Sequence, residues 1–311
     1  MKAIRIPLAA FCALVSFALM AEDLVIGNET VTFDSDEERT FGTLSMGRKT
    51  AGDVSTLNLL GGTTVFTGAI TMNGNVKNTT SRLVIGGDAD VTLGDIACNN
   101  SWSVGNEGAW LIVTNDATVS LGSYSGNKAN GPVYQYAVFA GNSRTVQTAG
   151  KTIATYAGGQ TYTYITAKEN AYVELQNPSL NFYDTAGRDP GYLHVCDNAK
   201  VVIKGTAGLV GGKDKNGVQS NVVQVADSGT LVLDGKLTLG SGGLTSYGGI
   251  LIKDNGKMFV TSAGNLVLGW NGGSSGSLVL EGNGQFISTN TVNLLRGYNR
   301  GFVHKCGCVG G

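Results

Sequence analysis

Two columns of residues in this 311-residue chain have types and spacings that could do chemistry. Glu169, Asp197, Asp227 and Asp254 follow one another at intervals of 28, 30 and 27 residues. Carboxylates gathered at a repeat spacing offer the hard oxygen donors that Ca2+ takes, so a weak calcium column is one expectation. Trp110, Tyr136, Tyr164 and Tyr192 recur at intervals of 26, 28 and 28 residues, flanked by Tyr134 and Tyr162. A row of exposed rings makes a contact face, and hydroxyls at its rim add hydrogen bonding. An extended glycan, as a free polysaccharide or on a cell surface, is the ligand class that such a row suits; the alternative is that the stacked rings only stabilise the repeat, as aromatic ladders do in cross-β stacks.

The remaining chemical signals are weaker. His194 and His304 are the two histidines, and neither sits in a compact cluster of acid and base. Ala149-Gly150-Lys151-Thr152 resembles part of a phosphate loop, but Thr145 stands where its first glycine belongs. His304-x-Cys306-x-Cys308 lacks the ligand spacing of a zinc finger. No catalytic residue is assigned, and the chain is read as a non-enzyme. The alternative is a polysaccharide lyase or hydrolase, which needs convergent carboxylates or a carboxylate with a basic partner in a groove.

The elements that position these columns are legible as a repeat. A strand, a polar turn and a second strand recur in LVIGGDADVTL (83–93), LIVTNDATVSL (111–121), LHVCDNAKVVI (193–203) and VQVADSGTLVL (223–233). With the third turn residue as origin, the copies fall at Thr63, Ala89, Ala117, Ser143, Ala171, Ala199, Gly229, Gly256 and Gly284. The seven steps from Ala89 to Gly284 average 195/7, about 28 residues. Six residues before each origin stand Leu57, Leu83, Leu111, Ala137, Ile165, Leu193, Val223, Ile250 and Leu278. The fourth residue before it is also apolar throughout, and the second residue after it is apolar except at Thr145. Period-two alternation puts these columns on one face. One coil cannot bury that face alone, so coils must stack at about 4.8 Å with parallel pairing.

The expected fold is therefore all-β, a right-handed parallel β-helix of about nine to ten coils of roughly 28 residues. The segment LVIGNETVTF (24–33) reads as a poorer copy, out of register by one residue, suited to cap one end. The Asn, Asp and Gly residues immediately before the origins read as a turn ladder at a left-handed backbone position. The aromatic column lies at odd offset from the buried columns and so points outward. Cys98 and Cys196 are three to four coils apart, about 15 to 19 Å, beyond disulfide reach.

Composition agrees. Glycine is 47 of 311 residues, proline 4, and charged residues only 14%, against a quarter or so in ordinary domains. Residues 1–21 carry Lys2 and Arg5 ahead of an apolar run of 21 − 5 = 16 residues, followed by Glu22 and Asp23. That is the pattern of a secretory signal peptide, too short to span a bilayer. Its removal takes two positive charges and moves the net charge from −1 to −3, which argues against nucleic acid. The expected compartment is secreted or cell-surface, outside the outer membrane, with no transmembrane segment in the mature chain.

Leu239-Gly240, Leu268-Gly269-Trp270-Asn271-Gly272-Gly273 and Ser275-Gly276-Ser277-Leu278-Val279-Leu280-Glu281-Gly282-Asn283-Gly284 resemble the type V secretion and PEP-CTERM-associated repeat of autotransporter-like bacterial surface proteins. The likeness is close over 223–297 and general over 24–222. It implies an exported surface protein with a β-helical, adhesin-like passenger, and it brings no catalytic residues. Residues 22–300 form the repeat domain, and 301–311 leave the pattern as a truncated or frame-shifted end would. An outer-membrane anchor is expected to lie outside this chain.

Overall fold

A computed structural model describes residues 21–47, 52–73, 79–99, 108–126, 133–154, 161–181, 192–210, 221–239, 247–268 and 275–290. Every strand in it pairs in parallel with strands of neighbouring coils, as a chain that returns to the same face once per circuit requires. The first face is a ten-stranded sheet running from Thr30–Phe33 to Ser275–Leu280. In it Leu57 lies beside Leu83, Leu83 beside Leu111, Leu111 beside Ala137, and Ala137 beside Ile165. These side chains are fully buried, so the column six before the origin is a ladder inside the tube. The expected parallel β-solenoid is the observed fold. About seven full turns are described, slightly fewer than the nine to ten coils expected, although the first face holds ten strands.

Each coil carries a third strand that the two-strand unit read from sequence lacks. Ile70–Met72, Ile96–Cys98, Tyr124–Gly126, Ile153–Ala154, Ser179–Asn181 and Asn265–Leu268 close the circuit on a third face. Three strands, Glu38–Met46, Lys200–Val210 and Thr230–Leu239, run from the second face into the third without a break. They join both faces into one 17-stranded sheet. Inward residues of the third face begin seven residues after the origin at Ile70 and Ile96 but ten after it at Ile153 and Leu266. That drift hides the third strand from a fixed-column search.

The segment 24–33 corrects the expected end copy. Leu24, Val25 and Ile26 pair with Leu44, Ser45 and Met46 near the third-face corner, while Thr30–Phe33 pairs with residues 56–59 on the first face. It is displaced by a whole strand rather than by one residue, because its Gly27-Asn28-Glu29 turn bridges a different corner.

Among the described cysteines, Cys98 and Cys196 are both free, as their separation along the stack demands. Cys98 is fully buried on the third face, and loss of water raises its thiol pKa to about 12, partly offset by the Tyr124 hydroxyl. Cys196 is partly exposed beside the first turn; burial, Asp197 and Asp227 raise its pKa. Only a thiolate is alkylated at a useful rate. Peptide mapping after iodoacetamide treatment of the folded chain should therefore find label on Cys196, faster as pH rises, and label on Cys98 only after denaturation. Rapid labelling of native Cys98 would contradict the burial of the third face.

Candidate functional site

The turn between the first and second faces explains the acidic column. In successive coils the origin N–H donates to the carbonyl three residues earlier, as in Ala171 to Lys168 O at 3.2 Å and Ala199 to Cys196 O at 3.1 Å. The residue two before the origin has positive φ in the eight coils from Ala89 to Gly284: Gly87, Asn115, Gly141, Glu169, Asp197, Asp227, Asp254 and Gly282 lie between 54° and 66°, whereas at Thr63 the positive-φ residue is Gly62, one before the origin. Positive φ at the first central position belongs to a turn of type II′ form. The left-handed residue is thus the acidic column itself, one position earlier than the expected Asn and Asp column.

Backbone pairing continues through this turn and omits one donor. The residue three before the origin donates to the previous coil, as Lys168 does to Phe139 O at 2.9 Å. The residue one before it does so too, as Asn170 to Gly141 O at 2.9 Å, and the residue after the origin likewise, as Tyr172 to Ser143 O at 2.9 Å. The left-handed N–H is left over, and the acid of the next coil takes it. Gly141 N–H donates to Glu169 Oε2 at 2.7 Å, Glu169 N–H to Asp197 Oδ2 at 2.9 Å, and Asp197 N–H to Asp227 Oδ2 at 3.4 Å. A charged acceptor on a backbone donor is among the stronger hydrogen bonds. One residue on, side-chain amides form a parallel rung: Asn170 Nδ2 donates to Asn142 Oδ1 at 3.0 Å, Asn198 Nδ2 to Asn170 Oδ1 at 3.4 Å, and Asn283 Nδ2 to Asn255 Oδ1 at 3.1 Å.

A calcium column would need these oxygens free and convergent. Among the described residues, one group of possible ligand atoms lies within 4.8 Å, and it consists of Cys196, Asp197 and Asp227. Its thiol is a soft ligand that hard Ca2+ disfavours. Glu169 and Asp254 stand outside that group, each beside a lysine of its own turn, with Lys168 Nζ to Glu169 Oε1 at 3.7 Å and Lys253 Nζ to Asp254 Oδ2 at 3.8 Å.

The aromatic column is assembled in register on the outward side of the first face. Trp110 pairs with Tyr136, Tyr136 with Tyr164, and Tyr164 with Tyr192, and all four are partly exposed; the chain neighbours of the first three, and Leu193 after Tyr192, are buried. The Trp110 and Tyr136 ring centroids lie 3.9 Å apart at 10°, and those of Tyr136 and Tyr164 4.9 Å apart at 13°. Tyr164 and Tyr192 meet edge-on at 5.2 Å, and Tyr192 continues to the His194 ring at 4.5 Å. His194 Nε2 is hydrogen-bonded to Gln224 Oε1; burial is the main cause that lowers the histidine pKa and favours the neutral ring. Loss of water, with Tyr134 and Tyr192 nearby, raises the Tyr136 hydroxyl to about 12. Because the central rings stack on each other, their faces are occupied by neighbours.

Two flanking tyrosines fare differently. Tyr134 shares the outward parity of Tyr136 but is 7% exposed, so it does not belong to an open face. The Tyr162 side chain lies outside the described residues, as do His304, Cys306 and Cys308. Tyr124 was missed by sequence reasoning. It is fully buried on the third face, and its hydroxyl donates to Tyr136 O at 2.9 Å and Ala109 O at 3.2 Å, tying the interior to the strand that carries the aromatic row.

These ladders define a parallel β-solenoid with an aromatic outer column and a carboxylate-capped turn. No family model matches the chain, so the repeat resemblance rests on the quoted residues alone, and no curated protein matches it. Among solved structures it is similar to a hyper-glycosylated fragment of TibA produced by TibC catalysis, at 14% identity, covering 88% of this chain and 99% of that one, with a TM-score of 0.16. A superposition that weak carries no argument here, and the fold rests on the strand pairing. Among the described residues no helix is long and apolar enough to cross a membrane.

The capping geometry sets an expected outcome. Asp197→Ala leaves an L-residue in the left-handed region without a polar side chain, at a cost of about 1–2 kcal/mol. Asp197→Gly removes the same carboxylate yet relieves the backbone, and should cost less. Urea melts of the two variants measure the difference. Millimolar Ca2+ or chelator should leave the wild-type melting temperature unmoved; a rise with Ca2+ that Asp227→Asn abolishes would establish the metal reading.

Proposed function

We propose that this chain is an exported, non-catalytic β-solenoid that presents its first face to a glycan or glycan-bearing surface, in a structural or adhesive role. The observation that carries the proposal is the outward aromatic column on four successive coils, Trp110, Tyr136, Tyr164 and Tyr192, extended by His194 and Gln224. Beside it runs a partly exposed apolar column, Val84, Ile112 and Val138. Apolar and aromatic surface joined to a row of hydrogen-bonding groups on a rigid sheet is the composition of a recognition face. The stacked geometry changes the mode of contact: ring edges, hydroxyls and the His194–Gln224 pair meet the ligand, with methyl groups of the adjacent column beneath it.

The export reading is supported by the signal-peptide pattern of residues 1–21. The non-catalytic reading is supported by the acidic column, three of whose members accept hydrogen bonds from turn amides and so serve the backbone. An adhesin-like passenger on a bacterial surface is the setting that the repeat resemblance suggests.

The test must separate contact from stability. Phenylalanine keeps a stacked ring and deletes the hydroxyl, so the triple variant Tyr136→Phe, Tyr164→Phe, Tyr192→Phe should melt like wild type. Its retention on immobilised polysaccharide or whole cells should fall by more than tenfold. Undiminished retention by a stably folded triple variant would overturn the assignment of this face.

A further inference from the structure

We propose that the coil of residues 133–154 is a weak joint that divides the solenoid into two cooperative blocks, and that the external stack of Trp110, Tyr136 and Tyr164 splints it. The interior of that coil is unlike its neighbours. At the columns six before, two after and four after the origin, the preceding coil buries Leu111, Val119 and Leu121, and the following coil Ile165, Val173 and Leu175. The coil between them buries Ala137, Thr145 and Gln147 at those columns, Ser143 at its origin, and Gln135 eight before it. Phe139 is its one large ring in the interior.

Several of these polar groups are unmatched. Gln135 Nε2, Ser143 Oγ and Thr145 Oγ1 are buried without a hydrogen-bond partner, three of the six such atoms among the described residues. A buried donor or acceptor left unpaired loses its hydration with no return. Gln147 is the exception: its Nε2 donates to Gly122 O at 3.1 Å and its Oε1 accepts from Gln176 N–H at 2.7 Å.

In a stacked array each coil is stabilised by its two interfaces, so a coil poor in apolar contact is where cooperativity breaks.

The aromatic stack lies across this joint from outside. Tyr136 stands on the deficient coil, and its ring is sandwiched between Trp110 at 3.9 Å and Tyr164 at 4.9 Å, the rings of the two flanking coils. The two closest parallel ring contacts of the column thus fall at the two interfaces of this polar coil; the other three unmatched atoms among the described residues belong to Thr64 and Asn73, in the coil of residues 54–73. The inference is independent of any ligand at that face.

Hydrogen exchange followed by mass spectrometry on the exported full chain tests it. Amides of Val133–Phe139 and Arg144–Gln147 should exchange more than tenfold faster than those of Gly108–Val113 and Tyr192–Val195, and urea unfolding should show two transitions. Ser143→Ala with Thr145→Val removes the two unmatched hydroxyls at nearly constant volume; it should slow exchange in the coil more than tenfold and merge the transitions. Tyr136→Ser should speed exchange there, Tyr136→Phe should not, and the effect of Tyr136→Ser should shrink in the hydroxyl-free background. Uniform protection across all coils of the wild type would overturn the joint, a reading that survives even if a variant fails to fold. Equal exchange in the serine and phenylalanine variants would overturn the splint.

Discussion

Parallel stacking leaves every coil answerable to its two neighbours for its hydrogen bonds, and the rest of this molecule depends on that constraint. The strands meet it by the ordinary parallel ladder. The turns have a harder task, since a bend must keep donating and accepting along the same axis. Three of four consecutive turn amides do so through backbone carbonyls, or through the turn itself, and the fourth, at positive φ, cannot. At Gly141, Glu169 and Asp197 a carboxylate supplied one coil further on takes that amide, so there what resembles a column of ligands is the closing member of a backbone ladder.

The same constraint fixes which residues fit the left-handed position. Asn115, Glu169, Asp197, Asp227 and Asp254 occupy it in five coils and Gly87, Gly141 and Gly282 in three, and at Gly87 and Gly141 the neighbouring backbone leaves no room for a Cβ. At Gly141 a Cβ would lie 2.4 Å from Asn115 N, so that turn accepts glycine alone. Inside the tube the repetition works differently, because each inward column must only be filled. Apolar side chains do this well, and Gln135, Ser143 and Thr145 do it poorly. The aromatic column on the outside of that coil then adds contact where the interior lacks it.

Contact and support need not compete for the same rings. Stacking uses the faces of Trp110, Tyr136 and Tyr164, whereas the proposed contact by hydroxyls and edges would use their rims. A face held rigid by its own stack presents hydrogen-bonding groups without losing side-chain freedom on contact. His194, neutral and hydrogen-bonded to Gln224, extends the same row by one more coil and one column.

By itself the sequence determined the architecture. Apolar residues at fixed offsets from a recurring turn can be buried in only one way, by stacking coils in register, and Leu57, Leu83, Leu111 and Leu193 lie where that reasoning put them. It also determined that Trp110, Tyr136, Tyr164 and Tyr192 face outward, since parity along a strand is a local property. Tertiary structure alone decided the rest. The third strand drifts in offset and was visible only when its pairing was. The covering of Tyr134 depends on neighbours distant in sequence, and sequence parity cannot register it. The left-handed position could be Asp197 or Asn198 on residue preference, and only the hydrogen bonds of adjacent coils chose between them. Whether two rings in register stack or splay is set by side-chain torsions, which no column of letters contains.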